Sequence, residues 1–314
     1  MRGVAAVSLV LILGAACAES ARTSSGAPLP TGDATIEPTD TPTPQPSATP
    51  TTEPSPSPTA PPVRRLRFVA IGDYGSGLTP QLELADRMCR FHQRKPFDLV
   101  VTTGDNVYES GDPTRFGEVF FRPYDCLLDA GVRFRATLGN HDIVTGNGRP
   151  ELNEPAFGFR GRNYVVRRDG VRLVMTDSNA LRMDWLRTAL RPEEGDRWTI
   201  VVFHHPVYSS GEHGSTPGLA EQLVPLFRRR GVDLVLNGHD HNYEASKPLG
   251  GIRYVVTGGG GASMRPCGAP LPTTAICIAR YHFLEIEAGP NRIEVRAIPR
   301  RGRPFHTFTT MGRA

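Results

Sequence analysis

Five short polar blocks hold the side chains best suited to chemistry: Gly72-Asp73-Tyr74-Gly75, Gly104-Asp105-Asn106-Val107-Tyr108, Gly139-Asn140-His141-Asp142, Val202-Phe203-His204-His205 and Gly238-His239-Asp240-His241. Carboxylates, a phenol, an amide and imidazoles together make a donor set able to hold two metal ions, with oxygen and nitrogen ligands divided between them. Each block follows an apolar run, as Phe68-Val69-Ala70-Ile71 precedes Asp73 and Leu234-Val235-Leu236-Asn237 precedes His239. Each therefore sits just past a buried strand, where α/β folds place their chemistry. Within Gly238 to His241 an extended segment would turn both imidazoles one way and Asp240 the other. Any one block alone is an ordinary turn or a core histidine. Five in order, each after a strand, are not.

The elements that must position them follow from periodicity. Arg67 to Ile71 reads as a strand, and Pro80 to Phe91 as a helix with Leu82, Ala85, Met88 and Cys89 on one side. Phe97 to Thr102 is a second apolar strand, Phe116 to Asp129 is mainly helical, and Phe134 to Leu138 is a third strand that delivers Asn140. A Gly- and Pro-rich excursion from Thr145 to Gly161 is expected near the rim of the pocket. Asn163 to Arg167 and Val171 to Thr176 alternate around the turn Asp169-Gly170. Leu181 to Leu190 and Leu219 to Arg229 have helical spacing; Thr199 to Phe203, Val232 to Leu236 and Arg253 to Thr257 are strands, and His282 to Glu287 with Arg292 to Ile298 forms a closing hairpin. No internal repeat is present.

Residues 1–18 join a short charged start to an apolar stretch, Val4 to Leu13, too short to span a bilayer, which is the pattern of a signal peptide. Leu13-Gly14-Ala15-Ala16-Cys17 matches a bacterial lipobox and makes Cys17 the favoured lipidation site, with plain cleavage after Ala18 as the alternative. Residues 19–63 are built from Pro, Thr, Ser and acids with almost nothing to bury, the composition of a disordered stalk. That leaves 64–314 as one catalytic domain, outside the cytoplasm, either tethered to the cell surface or secreted. Cys89, Cys126, Cys267 and Cys277 then make an even set in an oxidising compartment. Of three pairings, Cys89 with Cys126 and Cys267 with Cys277 is favoured because the latter closes a short Pro- and Gly-rich loop; four buried thiols are the alternative. None has the CxxC spacing of a zinc ribbon. The formal charge of only +4, with arginines in short clusters free of interleaved aromatics, argues against nucleic-acid binding.

Taken in order, the five blocks resemble the metallophosphoesterase signature of the calcineurin-like superfamily, over about Arg67 to Ile298. With Tyr108 three residues after Asp105, and with the stretch His204 to Gly214 containing Glu212-His213-Gly214, the chain is similar to purple acid phosphatases of the small, tartrate-resistant type. The resemblance implies a four-layer αββα fold, two mixed sheets packed as a sandwich and flanked by helices. It also implies that Asp105 bridges two ions, that Asp73, Tyr108 and His241 complete a first site, and that Asn140, His204 and His239 complete a second. A phenolate is a hard anionic ligand suited to Fe(III) in the first site, whereas an amide with two imidazoles accepts Fe(II), Zn or Mn in the second. His141 and His213 match histidines that contact phosphate and assist the leaving group, and Asn106 and His205 belong beside the ligands or the substrate. His205 stands where the resemblance expects tyrosine.

The implied activity is hydrolysis of small phosphomonoesters by a metal-bound hydroxide, in a monomer that meets the membrane only through a lipid anchor. A phosphodiesterase with the same ligands and a non-catalytic surface binding protein are the competing functions. Gly258 to Gly261 is not a phosphate-binding loop, since no helix and no Lys-Ser/Thr pair follows, and it instead lets backbone approach the site. Ser209 and Ser210 lack the GxSxG elbow of a serine hydrolase.

Overall fold

In the computed structural model, residues 65–312 are described. The leader, Cys17 and the linker expected at 1–63 lie outside them. Two mixed β-sheets are formed. In the first, β1 (Leu66–Ile71), β2 (Leu99–Thr102) and β3 (Arg133–Arg135) run parallel, and the antiparallel strands β11 (His282–Ala288), β12 (Arg292–Pro299) and β13 (His306–Met311) extend it, giving the order β13-β12-β11-β1-β2-β3. In the second, β5 (Val171–Met175), β6 (Trp198–Val202), β7 (Leu234–Asn237) and β9 (Arg253–Thr257) are parallel. The antiparallel strands β4 (Tyr164–Arg168), β8 (Tyr243–Ser246) and β10 (Thr274–Ile278) complete the order β10-β8-β9-β7-β6-β5-β4.

Strand alternation divides the apolar side chains between two environments. Phe68 and Ala70 of β1 meet Ile200 and Val202 of β6 between the sheets. Val69 and Ile71 point outward to a layer that includes Leu84 and Met88 of α1 (Thr79–Arg94), and Leu127 of α2 (Asp125–Asp129). On the opposite outer face Val201 and Val235 pack with Leu186 of α4 (Met183–Ala189) and with Leu223 and Phe227 of α5 (Leu219–Arg230). Both faces of each central strand are covered, so the parallel strands read as unbroken apolar runs. The result is the helix-sheet-sheet-helix arrangement expected.

Several local expectations are corrected. The buried face of α1 is Gln81, Leu84, Ala85, Met88 and Phe91, while Leu82 is 46% exposed. The helix is turned because it begins at Thr79 with Pro80 in its first turn, and the 81/84/85/88 spacing fits the sheet. Phe116 to Asp129 is a π-turn, Gly117–Phe121, followed by the short α2. The third strand ends at Arg135, earlier than Leu138, because the Thr137 carbonyl is taken by the Asn106 side chain. The excursion 145–161 holds α3 (Arg149–Asn153), which carries the fully buried Glu151 beneath the site loops, so it is not simply a rim loop. Strands β8, β10 and β13 were not expected; β10 and β13 are partly exposed edges, and β8 is short with a buried Glu244. Disulfides join Cys89 to Cys126, tying α1 to α2, and Cys267 to Cys277, with Cα–Cα separations of 6.1 Å. Among the described residues no helix is long and apolar enough to cross a membrane.

Candidate metal centre

The site lies where the carboxyl ends of β1 and β2 meet those of β6 and β7. Asp73 follows β1, Asp105 follows β2, His204 follows β6, and His239 and His241 follow β7. The chain turns sharply at these points. Asp73 (φ 56°), Asp105 (φ 50°) and His239 (φ 73°) all adopt left-handed backbone, a conformation that non-glycine residues keep only where surroundings enforce it. This replaces the extended geometry expected for Gly238 to His241: the turn at His239, not strand alternation, sends both imidazoles inward. The glycines before the ligands permit close loop contact. A Cβ on Gly139 would overlap Asp105 Oδ1, and one on Gly238 would overlap Asp73 Oδ2.

Two groups of donors result. In the first, the Tyr108 hydroxyl lies 3.0 Å from Asp105 Oδ2, 3.0 Å from His241 Nε2 and 3.4 Å from Asp73 Oδ1. Donor atoms of Asp73, Asp105 and His241 fall within 4.8 Å of one another, as a metal site requires. In the second, Asn140 Oδ1 is 3.0 Å from both His204 Nε2 and His239 Nδ1, and those nitrogens are 3.2 Å apart. Asp105 Oδ2 also lies 3.4 Å from His204 Nε2, so one carboxylate oxygen touches both groups.

Neighbouring carbonyls set the imidazole tautomers. His204 Nδ1 donates to the Thr103 carbonyl at 2.9 Å and His241 Nδ1 to the Ser263 carbonyl at 2.8 Å, leaving each Nε2 lone pair aimed into the site. His204 Nε2, His239 Nδ1 and the Asn140 carbonyl thus converge within hydrogen-bond distance, a meeting of acceptors that needs a proton or a metal cation among them. The donor set therefore fits a metal pair.

The carboxylates are buried and strongly coupled to the histidines. Burial works against charge on His204, but Asp105 and then Asp73 outweigh it and lift the imidazole to about 10. Burial likewise opposes charge on Asp105, yet His204 holds its carboxyl well below the usual range. Burial raises Asp73, and it raises the Tyr108 phenol with help from Asp73 and Asp105. His241 is pushed down to about 4 by burial and stays neutral, the form that binds a metal.

Beneath the ligands lies a network that sequence reasoning missed. Asp142 accepts from the backbone of Asn106 (2.8 Å), Val107 (3.1 Å) and Gly139 (2.7 Å), stitching the Asp105 loop to the Asn140 loop. The Asn106 amide donates to Thr137 O, to Asp142 and to Glu151, so Asn106 faces the interior, away from substrate. Burial, then Asp105, raises Asp142 to about 6; burial, then Asp142, raises Glu151. The only signal for Asp142 was its place after the ligand in Gly139-Asn140-His141-Asp142.

His141 lines the same cavity as Tyr108 and His241, a space of about 390 Å³, with its Nδ1 2.7 Å from the Glu109 carbonyl. His213 is exposed but stacks on His239 with ring centroids 4.3 Å apart. Asp240 positions its loop, accepting from His213 N at 2.8 Å, Gly214 N at 3.1 Å and the Ser209 hydroxyl. His205 packs on His239 and lies 2.8 Å from the Ser178 hydroxyl. Ser209 and Ser210 are turned toward Asp240 and Glu244, not toward a histidine base. Gly258 and Gly260 lie against Asp240 and Gly72, where a Cβ would collide with backbone oxygen.

Known proteins resemble this chain in sequence and in fold. A family model described as calcineurin-like phosphoesterase matches residues 66–243. The chain is 28% identical over 234 residues to purple acid phosphatase 17 of Arabidopsis thaliana, covering 63% of this chain and 69% of that protein. It is 28% identical over 242 residues to tartrate-resistant acid phosphatase type 5 of Rattus norvegicus, covering 63% and 73% respectively. The solved structure of a purple acid phosphatase isolated from yellow lupin seeds superposes with a TM-score of 0.68 at 18% identity, over 78% of this chain and 53% of that one, a likeness of fold.

Proposed function

The chain belongs to the calcineurin-like phosphoesterase family, and from that premise we propose that it is an acid phosphatase of the purple type, hydrolysing phosphomonoesters at a two-metal centre. The observation that carries this reading is Asp105, whose Oδ2 lies within 3.0 Å of the Tyr108 hydroxyl and 3.4 Å of His204 Nε2. Asp73, Tyr108 and His241 would hold the first ion with it, and Asn140, His204 and His239 the second. The hard phenolate of Tyr108 favours Fe(III) in the first position, and the neutral donors of the second favour Fe(II), Zn or Mn. When bound, two such ions neutralise phosphate charge and acidify bound water enough to supply a nucleophile at acid pH.

The protein's own groups supply the rest. His213, held over His239 by the hydrogen bonds its loop gives to Asp240, donates the proton that the departing alcohol needs. His141, its Nδ1–H given to the Glu109 carbonyl, has Nε2 left to donate to a phosphate oxygen in the shared cavity when that nitrogen also carries a proton. His205, pushed down to about 4 by burial and then by His204, stays neutral and packs against His239. The two disulfides support a setting outside the cytoplasm, at the cell surface by a lipidated Cys17 or secreted. The deciding experiment compares p-nitrophenyl phosphate with bis(p-nitrophenyl) phosphate across acid pH. Faster turnover of the monoester is expected; preference for the diester would move the protein to the phosphodiesterases.

A further inference from the structure

The cavity that contains Tyr108, His141 and His241 is also lined by Arg265, Glu212 and Met264. Met264 is shared with a neighbouring cavity of about 510 Å³ lined by Glu83, Arg280, Tyr281, Arg300 and Arg301. The two spaces therefore meet at one side chain, the first on the metal side and the second away from it.

The second cavity is cationic. Arg300 and Arg301 share one carboxylate, Glu83, at 2.7 and 2.9 Å. Arg280 has no carboxylate partner among the described residues; its guanidinium lies 5.2 Å over the Phe305 ring. Arg265, in the lining of the first cavity, pairs with Glu212 at 3.1 Å, an exposed contact that an anionic ligand can displace at little cost. Within the second cavity three arginines face one glutamate, a surplus of two positive charges beside a site that receives phosphate, whereas in the first Arg265 faces Glu109 and Glu212. One face of each nearby ring carries a guanidinium, Phe305 that of Arg280 and Tyr281 that of Arg300, the latter at 4.7 Å. What the cavity offers is guanidinium forks, whose geometry matches phosphate oxygens.

Resting on the phosphatase reading, we propose that this arginine cavity is a subsite for a second, non-reacting phosphate, so that the preferred substrates are small aliphatic bisphosphates. The reacting phosphate sits among His141, His213 and the ligands, and the substrate body passes Met264 to put its other phosphate against Arg280 and Arg301.

The test pairs fructose 6-phosphate with fructose 1,6-bisphosphate, which differ by one phosphate. For the metal-loaded full chain, kcat/KM is expected to be at least about tenfold higher for the bisphosphate at low ionic strength, with the advantage shrinking as salt screens the exposed arginines. Arg280→Gln and Arg301→Gln together should cut that ratio about tenfold. A second measurement needs no turnover: calorimetric titration of the same protein with hexylphosphonate and with 1,6-hexanediphosphonate. Tighter binding of the diphosphonate, lost in the double variant, supports the subsite. Equal binding of the two by the parent chain, or a preference untouched by the substitutions, overturns it. Absence of turnover on every ester would overturn the phosphatase reading alone, because the phosphonate titration still decides the subsite.

Discussion

Replacing Asp142 tests how the ligand loops are held. Its carboxylate is fully buried and accepts three backbone N–H groups, from Asn106, Val107 and Gly139, as well as the Asn106 side chain. Asp142→Ala strands those donors, and at about 1–3 kcal/mol for each buried unsatisfied group the three backbone donors alone cost about 5 kcal/mol. With a domain of this size shifting by about 2–4 °C per kcal/mol, unfolding should fall by about 10–20 °C. Asp142→Asn is milder. Its carbonyl can keep the hydrogen bonds from the Asn106 and Val107 backbone, while its NH2 opposes the Gly139 N–H and the Asn106 side-chain amide but gains Glu151 as an acceptor, whose raised pKa the missing charge would relax. About 2 kcal/mol is expected. The assay is thermal unfolding of the oxidised protein, with metal content measured in parallel. A loss below about 1 kcal/mol for Asp142→Ala would refute the reasoning, because the three backbone donors would then not depend on this carboxylate.

Other outcomes follow from the same geometry. Asp105→Asn, whose amide offers one weak acceptor in place of a charged bridge, should lower turnover at least about 1000-fold, and retained activity would remove the bridge from the mechanism. His213→Gln should lower kcat about 100-fold on an alkyl phosphate and far less on p-nitrophenyl phosphate, whose leaving group needs no proton; equal losses would contradict a general acid. His282 is fully buried, donates from Nδ1 to the Arg280 carbonyl, and is pushed down to about 4 by burial. The unfolded chain, with an imidazole near 6.5, binds this proton first, so stability is lost as pH falls through the window from about 6.5 to about 4. The loss by pH 4.5 is about 2.5 kcal/mol, and His282→Gln should flatten that slope in pH-dependent denaturant unfolding.

How much was legible in the sequence depended on the range of the forces involved. The apolar runs before Asp73, Asp105, His204 and His239 reported their own burial, so the strands and the order of the ligands could be read locally. Tyr108 and the His239/His241 pair stood out because residue type and spacing carry the chemistry. What could not be read was long-range. Asn106 sits among polar ligands yet turns inward, because its partners Asp142 and Glu151 arrive from 36 and 45 residues away. The turn at His239 depends on backbone geometry that an alternating pattern does not encode. Strand β8 was invisible because its buried Glu244 reads as surface until Ser210 and Thr274 are seen to satisfy it. The face of α1 shifted by one residue because Leu82 looked like core and the exposure of a leucine carries no local signal.

The central claim is a pair of metals bridged by Asp105, with iron held by the Tyr108 phenolate. Metal analysis of the purified full chain, with its visible spectrum, tests it most directly. Two metal ions per chain, at least one of them iron, and a purple phenolate-to-iron absorption that Tyr108→Phe removes are expected. One ion or none, or a metal-loaded colourless protein whose spectrum Tyr108→Phe leaves unchanged, would contradict it.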